Sequence, residues 1–171
     1  MCSCDLRFTM KAAQVADNIW IGNILALRDL PSDFTVITLL AQEKTLRLAK
    51  SILTANHKQI VWRLVDKPSA TFLCPDLIQI LSIMDESRPV LVHCAQGVSR
   101  SAAVCAAWLI SRHHCSTLQQ AMTIIRQARP QAQPNLGFLA ALKAIERHQG
   151  NVETAMEEWN GKQKTMRVTK S

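Results

Sequence analysis

The chain contains no tyrosine, and its few aromatic residues make up only 5% of the sequence. None of them lies in the basic C-terminal run, so base stacking and hence nucleic-acid binding have little to rest on. No apolar run approaches the ~20 residues that cross a bilayer, so no membrane span is expected. The N-terminus lacks a signal-peptide pattern, and position 2 is Cys2 where N-myristoylation needs glycine. The expectation is a cytoplasmic protein, with entry to the nucleus left open. Cys2 and Cys4 have no second His/Cys pair at zinc-ligand spacing, so no metal site is expected. Repeats, low-complexity blocks and Gly/Ser linkers are likewise missing.

What is there reads as one globular domain. Nearly half of the 171 residues are apolar and 19% are charged. Six cysteines in a chain with no mark of secretion read as free thiols. The net charge of +7 is concentrated at the end, where Lys162, Lys164, Arg167 and Lys170 occur without an acid. Residues 150–171 are therefore expected to be a basic, flexible tail, and 1–16 a poorly ordered N-terminal segment, around a domain at 17–149. The oligomeric state has no signature.

The patterning alternates. Residues 18–22, 33–40 and 58–66 read as strands, with a helical turn after the first and a helix over 43–53. "CPDLIQILSIMDESR" has Pro75 at a helix start, and "RPVLVHC" carries the continuous apolar run of a strand buried on both faces. A helix follows over 99–113. Ser116 and Gln119 predict a capping box for the next, and a last helix follows the break "ARPQAQPN". The fold class is α/β, with a central mixed, mainly parallel sheet of four to five strands flanked by helices.

One stretch concentrates chemistry: "VLVHCAQGVSRSAAVCAAW", residues 90–108. A tight turn from a buried strand into a helix leaves successive backbone N–H groups facing one concavity, an anion nest helped by the helix dipole. Gly97 supplies the freedom to turn. Cys94 at the strand end feels the same field, which favours its thiolate. Arg100 can return to grip two phosphate oxygens with its planar fork, and Ser101 offers the thiolate a hydroxyl. Together they describe attack of a thiolate on a phosphate monoester, with no metal or other cofactor called for.

The mechanism needs an acid for the leaving oxygen and later a base for water. Asp66 closes the strand "IVWRLV" and precedes Pro68, which puts it at a strand end where sites of open α/β sheets form. Asp76 is the rival, but it stands in the first turn of a helix, where an acid simply favours the dipole. Asp85 falls late in that helix. The bare Cys-x5-Arg spacing decides nothing in a chain with six cysteines and eleven arginines; the surrounding strand, glycine, serines and helix do.

"HCAQGVSRSA" resembles the signature loop of the cysteine-dependent dual-specificity protein phosphatases. "IWIGN", "FTVITL", "VDKPSATFL" and "ARPQAQPNLGF" are similar, in order, to further segments of that family, so the resemblance spans residues ~17–148. It points to the small, atypical single-domain members and to a cysteine-phosphatase type of fold. It implies that Cys94 is the nucleophile, Arg100 the phosphate clamp and Asp66 the acid/base. It further implies that Ala95, Gln96, Gly97, Val98 and Ser99 give loop amides and that Ser101 stabilises the departing thiolate. His93 would order the loop and help lower the Cys94 pKa, and Asn135 would support the site.

The implied reaction removes phosphate from phosphotyrosine and phosphoserine/threonine of protein substrates. The variable loop positions carry no Lys or Arg, which disfavours polyphosphorylated lipids. A low-turnover phosphate-binding adaptor, and a phosphatase of phosphoinositides or RNA 5′ ends, remain as alternatives. Cys74, eight residues past Asp66, is a candidate partner for oxidised Cys94.

Overall fold

The apolar run Val90–Val92 lies at the centre of the fold. The computed structural model describes residues 11–86 and 88–168, with side chains through Lys162. Strands β1 (Ala12–Ala16), β2 (Ile19–Gly22), β3 (Thr35–Leu39), β4 (Lys58–Trp62) and β5 (Val90–His93) form one sheet in the order β1-β2-β5-β3-β4. β1 runs antiparallel to β2, and the other three pairings are parallel. The expected mixed, mainly parallel sheet is what forms.

Both faces of the sheet are covered, which explains why β5 has no polar alternation. Val90 and Val92 join Ile19, Ile21, Ile37 and Leu39 on one face. Leu91 and Val36 point the other way, since successive strand side chains alternate. The first face is packed by α2 (Pro75–Met84), α3 (Arg100–Ser111), α4 (Leu118–Ala128), α5 (Leu136–Arg147) and α6 (Val152–Val168). A 3-10 turn at Ile24–Asp29 and α1 (Glu43–Ile52) cover the second. Helix α3 is buried from Ser101 to Ser111, and its alanines at 102, 103, 106 and 107 let neighbouring elements approach closely.

Several expectations need correction. Residues 12–16, assigned to a poorly ordered segment, form β1, because Ala12 and Ala13 pair with Gly22 and Ile21 and cover the free edge of β2. The strand expected over 58–66 ends at Trp62, opposite Leu39, the last residue of β3. Residues 63–66 therefore run past the sheet edge. The capping box uses Thr117 and Gln120, one residue later than Ser116 and Gln119. Both registers carry the pattern, so only packing decides between them. Residues 152–168 are helical, where a flexible tail was expected. Val152, Ala155, Met156 and Trp159 fall on one stripe and pack on the core, and Asn151 caps the helix by accepting from the Thr154 amide at 2.9 Å. Cys2 and Cys4 lie outside the described residues.

Candidate active site

All four parallel strands point their C-terminal ends to one edge of the sheet, and residues 94–99 emerge there from β5. The carbonyls of Ala95 to Val98 are turned outward and engaged. The Ala95 oxygen accepts from the Ile24 amide at 3.3 Å and the Val98 oxygen from the Gln133 amide at 2.8 Å. The Gln96 and Gly97 oxygens accept from the Arg129 guanidinium at 2.8 and 2.7 Å. In a trans peptide the N–H points opposite to the C=O, so the amides of Gln96 to Ser99 turn inward. The Gly97 amide accordingly donates to the Cys94 sulfur at 3.2 Å.

Gly97 has φ +68°, in the left-handed region, and a Cβ there would lie 2.6 Å from Arg129 Nε. The turn and the close guanidinium both require glycine.

The Cys94 thiol is buried, 2% exposed, under this cradle. Burial alone would push its pKa up. The Ser101 hydroxyl, 3.4 Å away, together with the Ser101 and Gly97 amides and the Arg100 charge, outweighs burial, and the net pKa is lowered. Arg100 keeps Nε buried without a hydrogen-bond partner, 3.5 Å from Asp66 Oδ2. A buried guanidinium N–H left without a hydrogen bond beside inward amides is a site prepared for an anion.

Asp66 is carried over the loop by the chain leaving β4. Its Oδ1 accepts from Ser99 Oγ and from Asn135 Nδ2, each at 2.7 Å. The Asn135 amide donates to Ser99 Oγ at 3.2 Å, and its side-chain oxygen caps α5 by accepting from the Phe138 amide at 3.0 Å. The following Gly137 is also required. A Cβ on it would meet the Ala70 and Pro68 oxygens at 2.2 and 2.5 Å, so the acid-bearing loop lies directly on α5. Cys94, Arg100 and Asp66 line a cleft of about 490 Å³, together with Leu40–Gln42, Thr45, Val65 and Lys67.

The profile of the family described as "Dual specificity phosphatase, catalytic domain" matches residues 32–148. The chain belongs to the dual-specificity phosphatase family. The mouse dual specificity phosphatase 28 is 42% identical over 76 residues, covering 44% of this chain and 46% of that one. Dual specificity protein phosphatase 1 of Arabidopsis thaliana is 30% identical over 140 residues, 78% of this chain and 68% of that one. The match thus spans about half of the mouse relative. A mouse putative dual specificity phosphatase solved with zinc tungstate superposes with a TM-score of 0.66 at 30% identity, over 80% of this chain and 87% of that one. The crystal structure of human DUSP28 gives 0.66 at 24%, over 80% and 96%, which shows the shared fold.

The residues that the family resemblance singled out fall at or beside this site, and the rival residues lie elsewhere. His93 is neutral, because burial lowers its pKa to about 4. Asp76 accepts instead from the Cys74 thiol at 3.6 Å, at the start of α2, and Asp85 binds Trp108 and Arg112. Cys74 does not line the cleft, and burial pushes its thiol up. Burial inside α3, with the Cys94 charge adding to it, pushes the Cys105 thiol up.

The sequence reading missed Arg129, 5% exposed, which props the loop from outside. An arginine ahead of a proline break was its only signal. It also missed the chain Gln59–Thr38–His93. The Thr38 hydroxyl accepts a hydrogen bond from Gln59 Nε2 and shares another with His93 Nε2, both at 2.9 Å.

Proposed function

We propose that this protein removes phosphate from phosphotyrosine and phosphoserine/threonine of proteins through a cysteinyl-phosphate intermediate. The observation that carries the reading is the loop whose Ala95 to Val98 carbonyls are bonded outward, leaving its amides, the Cys94 sulfur and Arg100 Nε facing one concavity.

The Cys94 thiolate attacks phosphorus as the bond to the leaving oxygen breaks, and Asp66 gives that oxygen its proton. The equatorial oxygens rest on the inward amides and the Arg100 fork, which neutralise charge without reorganisation. The Asp66 carboxylate then takes a proton from water, whose oxygen attacks phosphorus. The S–P bond breaks, inorganic phosphate leaves, and the thiolate is restored. Ser101, 3.4 Å from the sulfur, stabilises the departing thiolate. The chemistry needs a reduced Cys94, so the reading includes a reducing, cytoplasmic setting. No described helix is long and apolar enough to cross a membrane.

Hydrolysis of an aryl phosphate and of phosphopeptides, with a chelator present, tests the reading in wild type, Cys94→Ser, Arg100→Ala, Asp66→Asn and Asp76→Asn. Loss of turnover in the first three variants and retention in Asp76→Asn is expected. Full activity in Cys94→Ser overturns the mechanism. Phosphopeptide binding by a wild type that turns nothing over points instead to the adaptor.

A further inference from the structure

Two cations line the cleft, Arg100 and Lys67. Arg100 is paired with Asp66 at the floor. Arg47 and Arg63, nearby on α1 and after β4, are both taken by Glu43, at 3.4 and 3.0 Å. Arg129 is spent on the loop carbonyls. The Lys67 ammonium has no partner among the described residues. The one acid lining the cleft is Asp66, already held by Ser99, Asn135 and Arg100. Gln42 and Thr45, which also line the cleft, are polar but neutral.

The backbone under Lys67 is fixed. Its carbonyl accepts from the Ala70 amide at 2.9 Å, closing a turn whose next residue is Pro68. The Pro68 and Ala70 carbonyls lie against Gly137 at the start of α5. A lysine on an anchored turn, one residue from the acid, presents an unspent positive charge at the mouth of the cleft. Residues flanking a bound phosphoresidue lie about 3.8 Å apart along the chain, and a lysine stem spans one or two such steps.

We propose that Lys67 is a specificity-determining residue, favouring protein substrates that carry an acidic group, a carboxylate or a second phosphate, within two residues of the phosphoresidue. The inference rests on the phosphatase reading of the site. Because the pair is solvent-exposed, the preference is modest, about threefold for glutamate over alanine and about tenfold for glutamate over lysine at low salt. It shrinks as salt screens the charge.

The test uses the full chain and phosphotyrosine peptides that differ at one flanking position, carrying alanine, glutamate, lysine or phosphoserine. Ratios of kcat/KM between peptides are compared within wild type, Lys67→Arg, Lys67→Ala and Lys67→Glu. Affinities for the same peptides are measured in each of the four combined with Cys94→Ser. The expected ranking favours the acidic peptides in wild type and Lys67→Arg, flattens in Lys67→Ala and reverses in Lys67→Glu. The glutamate and phosphoserine arms identify which anion is preferred. Identical ratios in wild type and Lys67→Glu overturn the inference and leave the phosphatase reading intact. Absent turnover with a Lys67-dependent affinity ranking does the reverse. Absence of both turnover and binding overturns both.

Discussion

The Asn135 side chain donates to Asp66 Oδ1 at 2.7 Å, tying the start of α5 to the loop that follows β4. Ser99 adds a second donor to the same oxygen, also at 2.7 Å. Two donors hold Oδ1, while Oδ2 faces Arg100 Nε at 3.5 Å. The orientation of the acid is thus set by the phosphate loop itself and by the cap of a distant helix.

Asn135→Ala is expected to lower kcat by about tenfold, the equivalent of ~1.4 kcal/mol in the barrier. The loss should grow for substrates with poor leaving groups, which depend most on the acid. The rate of Cys94 alkylation should not change, since Asn135 does not touch the thiol. Steady-state kinetics across a series of aryl phosphates checks this. A loss independent of the leaving group counts against the positioning role.

Arg129 holds three backbone oxygens, those of Gly97, Gln96 and Lys11. Arg129→Lys cannot reproduce the fork and leaves buried acceptors unpaired, at a cost of ~1–3 kcal/mol in stability. Gly97→Ala forces a side chain into the left-handed region and onto Arg129. Both variants should also weaken inhibition by orthovanadate, because the amides lose their aim. Urea titrations and vanadate inhibition curves read the two effects separately.

Cys94 has its pKa lowered although burial opposes this, chiefly through Ser101. Its inactivation by iodoacetamide should therefore rise with pH through a midpoint below the ordinary thiol value of ~8.5. Ser101→Ala should move that midpoint upward. A midpoint unmoved in Ser101→Ala would place the thiolate's stabilisation elsewhere.

His93 is buried neutral, with its pKa lowered from 6.5 to about 4. Below pH ~6.5 the unfolded chain takes up a proton that the folded chain refuses until pH ~4, so stability falls across that window. The full loss is about 3 kcal/mol. Urea midpoints of wild type and His93→Asn, measured from neutral pH down to pH ~4, should differ in slope by this contribution. Equal slopes would mean that the ring is charged in the folded state.

How much of this was legible in the sequence depends on how local each signal is. The loop was readable because strand, thiol, glycine, guanidinium and helix are contiguous. The sheet was readable because β5 is apolar throughout, as two covered faces demand. Asp66 was readable only as a strand end, and even there the strand stops four residues earlier, at Trp62. β1 was missed because "AAQVA" owes its form to the neighbouring β2, which no local pattern reveals. α6 was missed because charged residues outnumber its apolar stripe. Arg129 and the Gln59–Thr38 pair act across 32 and 21 or more residues, distances over which sequence spacing carries no geometry.

The most direct test of the central claim is a rapid-quench experiment on Asp66→Asn with excess p-nitrophenyl phosphate, whose leaving group departs without an acid, followed by mass analysis of the Cys94 peptide. Removing the base for water should leave a phosphate bound to Cys94, lost on replacement of Cys94 by serine. A phosphate found on another residue, or rapid phosphate release with an unmodified Cys94 at every time point, would contradict the account.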